Sequence, residues 1–149
     1  MDTKPNIQYC VNLLMVSNMD ASLKFYVDGL GFKITNTWTP RGTIEWCWLQ
    51  REGGPLMLQE SRITQTKPYL MGDRPGAGVS LWFQCRDSLA LYHEFKEKGI
   101  TVEEPFVGNG LWDVSLKDPD GYSLHFESPT DVPEETRYSD WLRSMDHGQ

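Results

Sequence analysis

Apolar and polar positions along this chain fall into short alternating runs and one-sided helical runs, and the same order of runs occurs twice. Tyr9 to Ser17 is mostly apolar and strand-like. Asp20 has the side chain of a helix N-cap, and Leu23, Tyr26, Val27 and Leu30 follow at the i, i+3, i+4, i+7 spacing of one helical face. Gly31 stands where a left-handed residue ends a helix. Phe32 to Trp38 resumes strand character, and Pro40-Arg41-Gly42 reads as a turn. Thr43 to Gln50 and Leu56 to Glu60 add two strands joined across Arg51-Glu52-Gly53-Gly54-Pro55. The pattern predicts β-α-β-β-β.

Val11 to Ile34 aligns without gaps on Val79 to Val102. Val11/Val79, Leu13/Leu81, Leu23/Leu91 and Gly31/Gly99 are identical, and Leu56-Met57-Leu58 falls at the same offset on Leu124-His125-Phe126. A strand, an acid-capped helix, a glycine stop and a closing strand in one repeated order indicate an internal duplication. The modules span about 8–61 and 77–128. The fold class is therefore α+β, with two βαβββ modules forming a curved mixed sheet. With one helix per module, the helices are expected on the outer faces, leaving a concave inner face.

The strands carry that two-faced pattern. In Lys117 to Ser128 the Asp118-Pro119-Asp120-Gly121 turn leads into a strand where Leu124 and Phe126 alternate with Ser123, His125 and Glu127. Pro119 presets a turn φ, and Asp120 is expected to bond its own backbone. Leu81, Phe83 and Cys85 alternate with Ser80, Trp82 and Gln84, and Leu56 and Leu58 with Met57 and Gln59. On the first strand either Val11 or Asn12 faces the cavity.

Residues 1–128 read as one domain, and 129–149 as an acidic tail. In the tail Asp131 and Glu134 have capping-box spacing around Pro133, and Trp141, Leu142 and Met145 suit a short amphipathic helix. Such a tail either frays or folds over the body or a partner subunit. The net charge of -7, without clustered Lys or Arg, excludes a nucleic-acid partner and suits a cationic small molecule. No apolar stretch approaches the roughly 20 residues of a membrane span, and the N-terminus lacks a signal-peptide layout, so a cytoplasmic location is expected. Cys10, Cys47 and Cys85 lie in apolar runs and read as reduced core thiols. Six Trp, six Tyr and six Phe provide core and also flat stacking walls for a ligand.

Leu23-Lys24-Phe25-Tyr26 through Leu30-Gly31-Phe32, Trp48-Leu49-Gln50 with Leu56-Met57-Leu58, and Asp118-Pro119-Asp120-Gly121 resemble the glyoxalase, bleomycin-resistance and extradiol-dioxygenase (vicinal oxygen chelate) superfamily. The resemblance covers about residues 8 to 128 and is nearest to the bleomycin-resistance members around Gly78 to Gly99 and Leu124-His125-Phe126. It implies a homodimer. It also implies that metal ligands, where enzymes of the family have them, fall here on Val11 or Asn12, Met57, Val79 or Ser80, and His125. His125 is the only plausible ligand among these, so no cofactor is expected. The leading function is metal-free small-molecule binding by sequestration. The alternative is a glyoxalase- or dioxygenase-like enzyme with an atypical metal site.

Ligand-binding candidates are Trp46, Trp48, Met57, Gln59, Ser80, Trp82, Gln84, Asn109, Trp112, His125 and Glu127. Trp82 lies on the less apolar face of its strand and is the leading stacking candidate. Asn109 belongs to a flexible-looking Val107-Gly108-Asn109-Gly110 loop, which Trp112 follows. His125 and Glu127 would supply polar contacts. No Ser-His-Asp, Cys-His or phosphate-loop arrangement is present, and no catalytic residue is assigned.

Overall fold

A computed structural model of the chain describes residues 3–60 and 76–146. The module boundary near residue 61 and positions 147–149 of the tail lie outside the described residues. In the first module β1 (Asn12–Met15), β2 (Lys33–Trp38), β3 (Trp46–Arg51) and β4 (Gly54–Gln59) form a sheet in the order β1-β4-β3-β2. In the second, β5 (Ser80–Gln84), β6 (Phe106–Gly108), β7 (Leu111–Lys117) and β8 (Ser123–Pro129) repeat that order as β5-β8-β7-β6. The first strand of each sheet runs parallel to the last, and the other pairs are antiparallel. Helix α1 (Met19–Leu23) continues into a π-helical turn, Lys24–Gly29. Helix α2 (Ser88–Glu97) crosses over in the second module, and α3 (Tyr138–Asp146) ends the described chain. Two βαβββ modules are thus present.

Burial follows the alternation of the sequence. Cys47, Leu49, Leu56, Leu58, Val114, Leu116, Leu124 and Phe126 are buried, and their neighbours on the strands are only partly covered. The buried faces of both sheets join the helices in one continuous core. Phe95 of α2 meets Phe126 edge-on at 5.2 Å, and Phe32 meets Phe83 across the modules at 6.0 Å. Burying each such aliphatic or aromatic side chain contributes about 1.5–3 kcal/mol.

The repeat is real, but its gapless alignment slips by one residue before the helices. Asn18 caps α1, its side chain accepting from Ala21 N at 3.0 Å, and Asp87 caps α2 in the same way at 3.1 Å. The expected cap, Asp20, lies in the first turn instead. Both helices stop at a left-handed glycine, Gly31 (φ 80°) and Gly99 (φ 79°). Thirteen positions separate cap from stop in the first module and twelve in the second. The π-helical turn accommodates the additional residue, as an inserted residue inside a helix does. The pairs Leu13↔Met57 and Trp82↔His125 then correspond, rather than Leu13 and Leu81. This register also places Leu13 and Met15, and with them the Val11 side of the strand, on the Met57 face.

The Asp118-Pro119-Asp120-Gly121 turn clasps the modules together. Asp118, not Asp120, closes the turn, its Oδ1 accepting from Asp120 N and Tyr122 N at 2.9 and 2.8 Å. Its Oδ2 accepts from Tyr26 Oη at 2.8 Å. Burial pushes the carboxyl of Asp118 above the ordinary aspartate range, and burial followed by the neighbouring Asp118 pushes the Tyr26 phenol far upward. Asp120 accepts instead from Ser17 Oγ at 2.6 Å, because Asp118 already holds the turn. Arg51 of β3 completes the seam with two bonds to Glu94 of α2, at 2.6 and 3.0 Å.

The tail folds over the body of its own chain. Val107 N donates to Thr136 O and Glu135 N to Val107 O, so residues 135–137 extend the open edge of β6. Glu134 accepts from Gly110 N rather than capping a helix. Helix α3 then lays Tyr138 and Trp141 on Trp112, at 5.9 and 5.5 Å. Cys47 is buried, but Cys10 is exposed ahead of β1, so only part of the expectation of core thiols holds.

Candidate functional site

Each sheet has one face turned to the shared core and one face free of helices. On the first sheet, register puts Trp38, Trp46, Gln59 and Met15 in one row across the free face. Asn36, Trp48, Met57 and Leu13 form the next row. Trp48 Nε1 donates to Gln50 Oε1 at 2.9 Å. This face is aromatic and largely apolar, with Trp38 51% and Leu13 43% exposed.

The corresponding face of the second sheet is polar and bonded to itself. Trp82 and His125 are register partners on parallel strands, and their rings stack at 3.8 Å between centroids and 5° between planes. His125 Nδ1 lies 3.0 and 3.1 Å from the two carboxylate oxygens of Asp113. A carboxylate only accepts, so Nδ1 carries a hydrogen. Glu127, opposite Asp113 on the neighbouring strand, accepts from Gln84 Nε2 at 2.6 Å. Ser80 Oγ takes the indole hydrogen of Trp82 at 2.7 Å, and Lys117 donates to Ser123 Oγ at 2.6 Å.

Trp82 and Gln84 also line a cleft of 740 Å³ between the β3–β4 turn and the connection from β5 to α2. Phe32, Phe83, Phe126 and Leu91 give it an apolar floor, with Arg51 and Arg86 among its charged residues. Its volume falls within the range of small-molecule sites. Both parities of β5 contribute, so the cleft opens on the free edge of that strand.

Of the candidate residues, Ser80, Trp82, Gln84, His125 and Glu127 come together on one face. Trp46, Trp48, Met57 and Gln59 come together on the other sheet. Trp112 reaches neither: it is 4% exposed on the core side of β7, beneath Tyr138 and Trp141. Asn109 (φ 54°) and Gly110 (φ 73°) form a tight two-residue hairpin turn between Gly108 and Leu111, where a flexible loop was expected. Asn-Gly is the dipeptide that tolerates left-handed backbone at both corners. Asp113 joins the site although the sequence did not single it out. Its alternation with Trp112, Val114 and Leu116 marks its face, but only strand register brings it to His125.

The residues do not fit a family-type metal centre. Met57 and the Val11 or Asn12 position supply no strong donor to join His125. Among the described residues no three His, Cys, Asp or Glu side chains cluster so as to hold a metal ion. A divalent metal needs three or four converging N, O or S donors.

Solved structures with this fold include TnmS3, an antibiotic-binding protein from Streptomyces sp. CB03234. It is 22% identical, covers 85% of this chain and 100% of its own, and superposes with a TM-score of 0.64. A bleomycin-binding protein from bleomycin-producing Streptomyces verticillus, complexed with copper(II)-bleomycin, is 18% identical over 84% of this chain and 98% of its own, with a TM-score of 0.62. A hypothetical protein from S. aureus is 24% identical over 83% of this chain and 95% of its own, with a TM-score of 0.61. No curated protein matches the chain by sequence. The model of one family matches residues 6–126, nearly the whole of both modules, and the chain belongs to the Glyoxalase/Bleomycin resistance protein/Dioxygenase superfamily.

Proposed function

We propose that this protein binds and sequesters a small planar molecule, without a metal, on the free face of its second sheet and the adjoining cleft. The observation that carries this reading is the parallel stack of Trp82 on His125 beside a 740 Å³ cleft. A fixed aromatic platform with a few placed polar groups suits a flat ligand. The antibiotic-binding and bleomycin-binding proteins of the same fold support the reading. Ser80, Trp82, Gln84, His125 and Glu127 would contact the ligand directly. Residues 1–128 would form the binding domain, with the tail as a brace.

The protein would act as a homodimer in the cytoplasm. β1 and β5 are edge strands, and Leu13 and Val79 beside those edges are 43% and 54% exposed. Covering such edges favours a second copy. A dimer could bring the Trp46, Trp48, Met57 and Gln59 face of one copy to the ligand held by the other. Three free thiols suit a reducing compartment.

The test is a panel of planar aromatics and bleomycin, followed by tryptophan fluorescence. A bound ligand whose affinity survives alanine at Trp46, Trp48 and Trp82 alike would place the site elsewhere. Elemental analysis of protein purified without chelator should find no stoichiometric transition metal. One metal per chain, lost in His125→Ala, would overturn the metal-free reading. A monomer by light scattering at micromolar concentration would remove the dimer.

A further inference from the structure

Resting on that binding reading, we infer that the cleft beside Trp82 takes a planar zwitterion, its cationic end at Glu52 and its anionic end at Arg86. The two residues belong to the two walls of the cleft. Glu52 is in the turn between β3 and β4, and Arg86 is in the connection from β5 to α2. The turn sits against β5, where a side chain added at Gly54 would meet the Phe83 ring at 3.2 Å. Glu52 and Arg86 are both exposed, and both line the cleft whose apolar floor is Phe32, Phe83, Phe126 and Leu91. Among the described residues neither side chain makes a hydrogen bond or an ion pair, with the other or with any third group. One open carboxylate and one open guanidinium therefore stand over an aromatic floor.

The other charges of the cleft are already engaged. Arg51, whose field reaches Glu52, gives two bonds to Glu94 and one to Leu30 O. Asp87 accepts from Ala90 N at 3.1 Å as the cap of α2, where the positive end of the helix offsets its charge. What remains for a ligand is one charge of each sign. A simple anion would meet Arg86 but leave Glu52 to oppose it, and a simple cation would leave Arg86 to oppose it. A molecule carrying both charges satisfies both walls and brings no net charge. Its ammonium donates to the Glu52 carboxylate, and its carboxylate accepts from the Arg86 fork. The ring between them lies on the phenylalanine floor and extends toward Trp82, which lines the same cleft.

The experiment titrates the full chain calorimetrically with 6-(aminomethyl)-2-naphthoate, a planar zwitterion at neutral pH. Its partners are 6-methyl-2-naphthoate, which has only the anion, and (6-methyl-2-naphthyl)methylamine, which has only the cation. The zwitterion should bind about threefold to fivefold more tightly than either, the worth of one exposed ion pair in each comparison. Both preferences should shrink with added salt. Arg86→Gln should remove the preference over the cation and keep the preference over the anion. Glu52→Gln should do the reverse. A general loss of structure would weaken all three compounds together, so the crossed pattern is specific to the two charges. Circular dichroism checks each fold. Glu52 has left-handed backbone (φ 49°), and if Glu52→Gln does not fold, Arg86→Gln and the salt dependence decide. Equal affinity for the three compounds, or preferences that survive both variants, overturns the zwitterion class and leaves the planar-ligand reading standing. Failure of all three to bind also overturns the zwitterion class, whereas sequestration itself is judged by the wider panel.

Discussion

On the first sheet the face without helices carries Trp38, Trp46, Trp48, Leu13 and Met57. On the second the same face carries Trp82, His125, Asp113, Gln84 and Glu127. Strand order, helix stops and buried faces are common to the two modules, so the contrast lies wholly in side chains that the core does not constrain. Met57 and His125 occupy corresponding positions, one apolar and the other bonded to an acid. A duplicated backbone is maintained by its buried face. The free face is then able to diverge, here toward an apolar wall in one copy and a polar, hydrogen-bonded platform in the other.

The largest effects should come from the faces that are alike. Leu49→Ala and Leu124→Ala, each 0% exposed, should each cost about 2–5 kcal/mol in denaturant unfolding. Trp48→Ala and His125→Ala, on the free faces, should cost less than either. If His125→Ala matches Leu124→Ala, the polar face is part of the core and the contrast collapses.

Ligand binding should separate the two free faces next. Trp82→Ala is expected to weaken a bound planar ligand by about 2 kcal/mol or more, as the loss of a stacking anchor does. Trp48→Ala should weaken it less in dilute protein, where the second sheet acts alone. Titration by fluorescence gives both numbers, and a reversed order would move the platform to the first sheet.

The seam between modules should rank third. Tyr26→Phe leaves the buried Asp118 carboxylate without its phenol donor and should cost about 1–3 kcal/mol. Tyr122→Phe, whose hydroxyl reaches only Met15 O in a half-buried setting, should cost less. Equal costs would mean that the Asp118 clasp has no special weight.

The smallest effect concerns pH, and two seam acids act with opposite sign. Glu94 is held below the ordinary carboxylate range by its bond to Arg51, so it stabilises the fold above the unfolded value and this contribution is lost on acidification. Asp118, raised by burial, binds its proton more tightly folded than unfolded. Its contribution is greatest in acid and declines as pH rises through the raised value. Glu94→Gln should therefore lose stability less steeply on acidification than the parent protein. Since Glu94 is 39% exposed, the difference should shrink with added salt. A steeper acid loss in Glu94→Gln would reverse the assignment.

Periodicity alone specified the two βαβββ modules, because a strand with one apolar face and a helix with one apolar stripe each have one way to bury it. Gly31 and Gly99 were legible as helix stops for the same local reason, a left-handed conformation that glycine adopts freely. The alternating parity of Ser80, Trp82, Gln84, His125 and Glu127 likewise marked a shared polar face before any coordinates. What required the tertiary structure was register. The residue absorbed by the π-helical turn slides the first strand by one position, and a slip of one exchanges the two faces of a strand. Asp113 meets His125 through pairing between β7 and β8, and Asp118 meets Tyr26 across 92 residues of chain. Trp112 shares the buried parity of Val114 and Leu116, which the alternation of β7 already marked, whereas the tail that covers it is a contact between distant segments that no local pattern encodes. Local chemistry chose the elements, and only their packing chose which polar atoms were left open to a ligand.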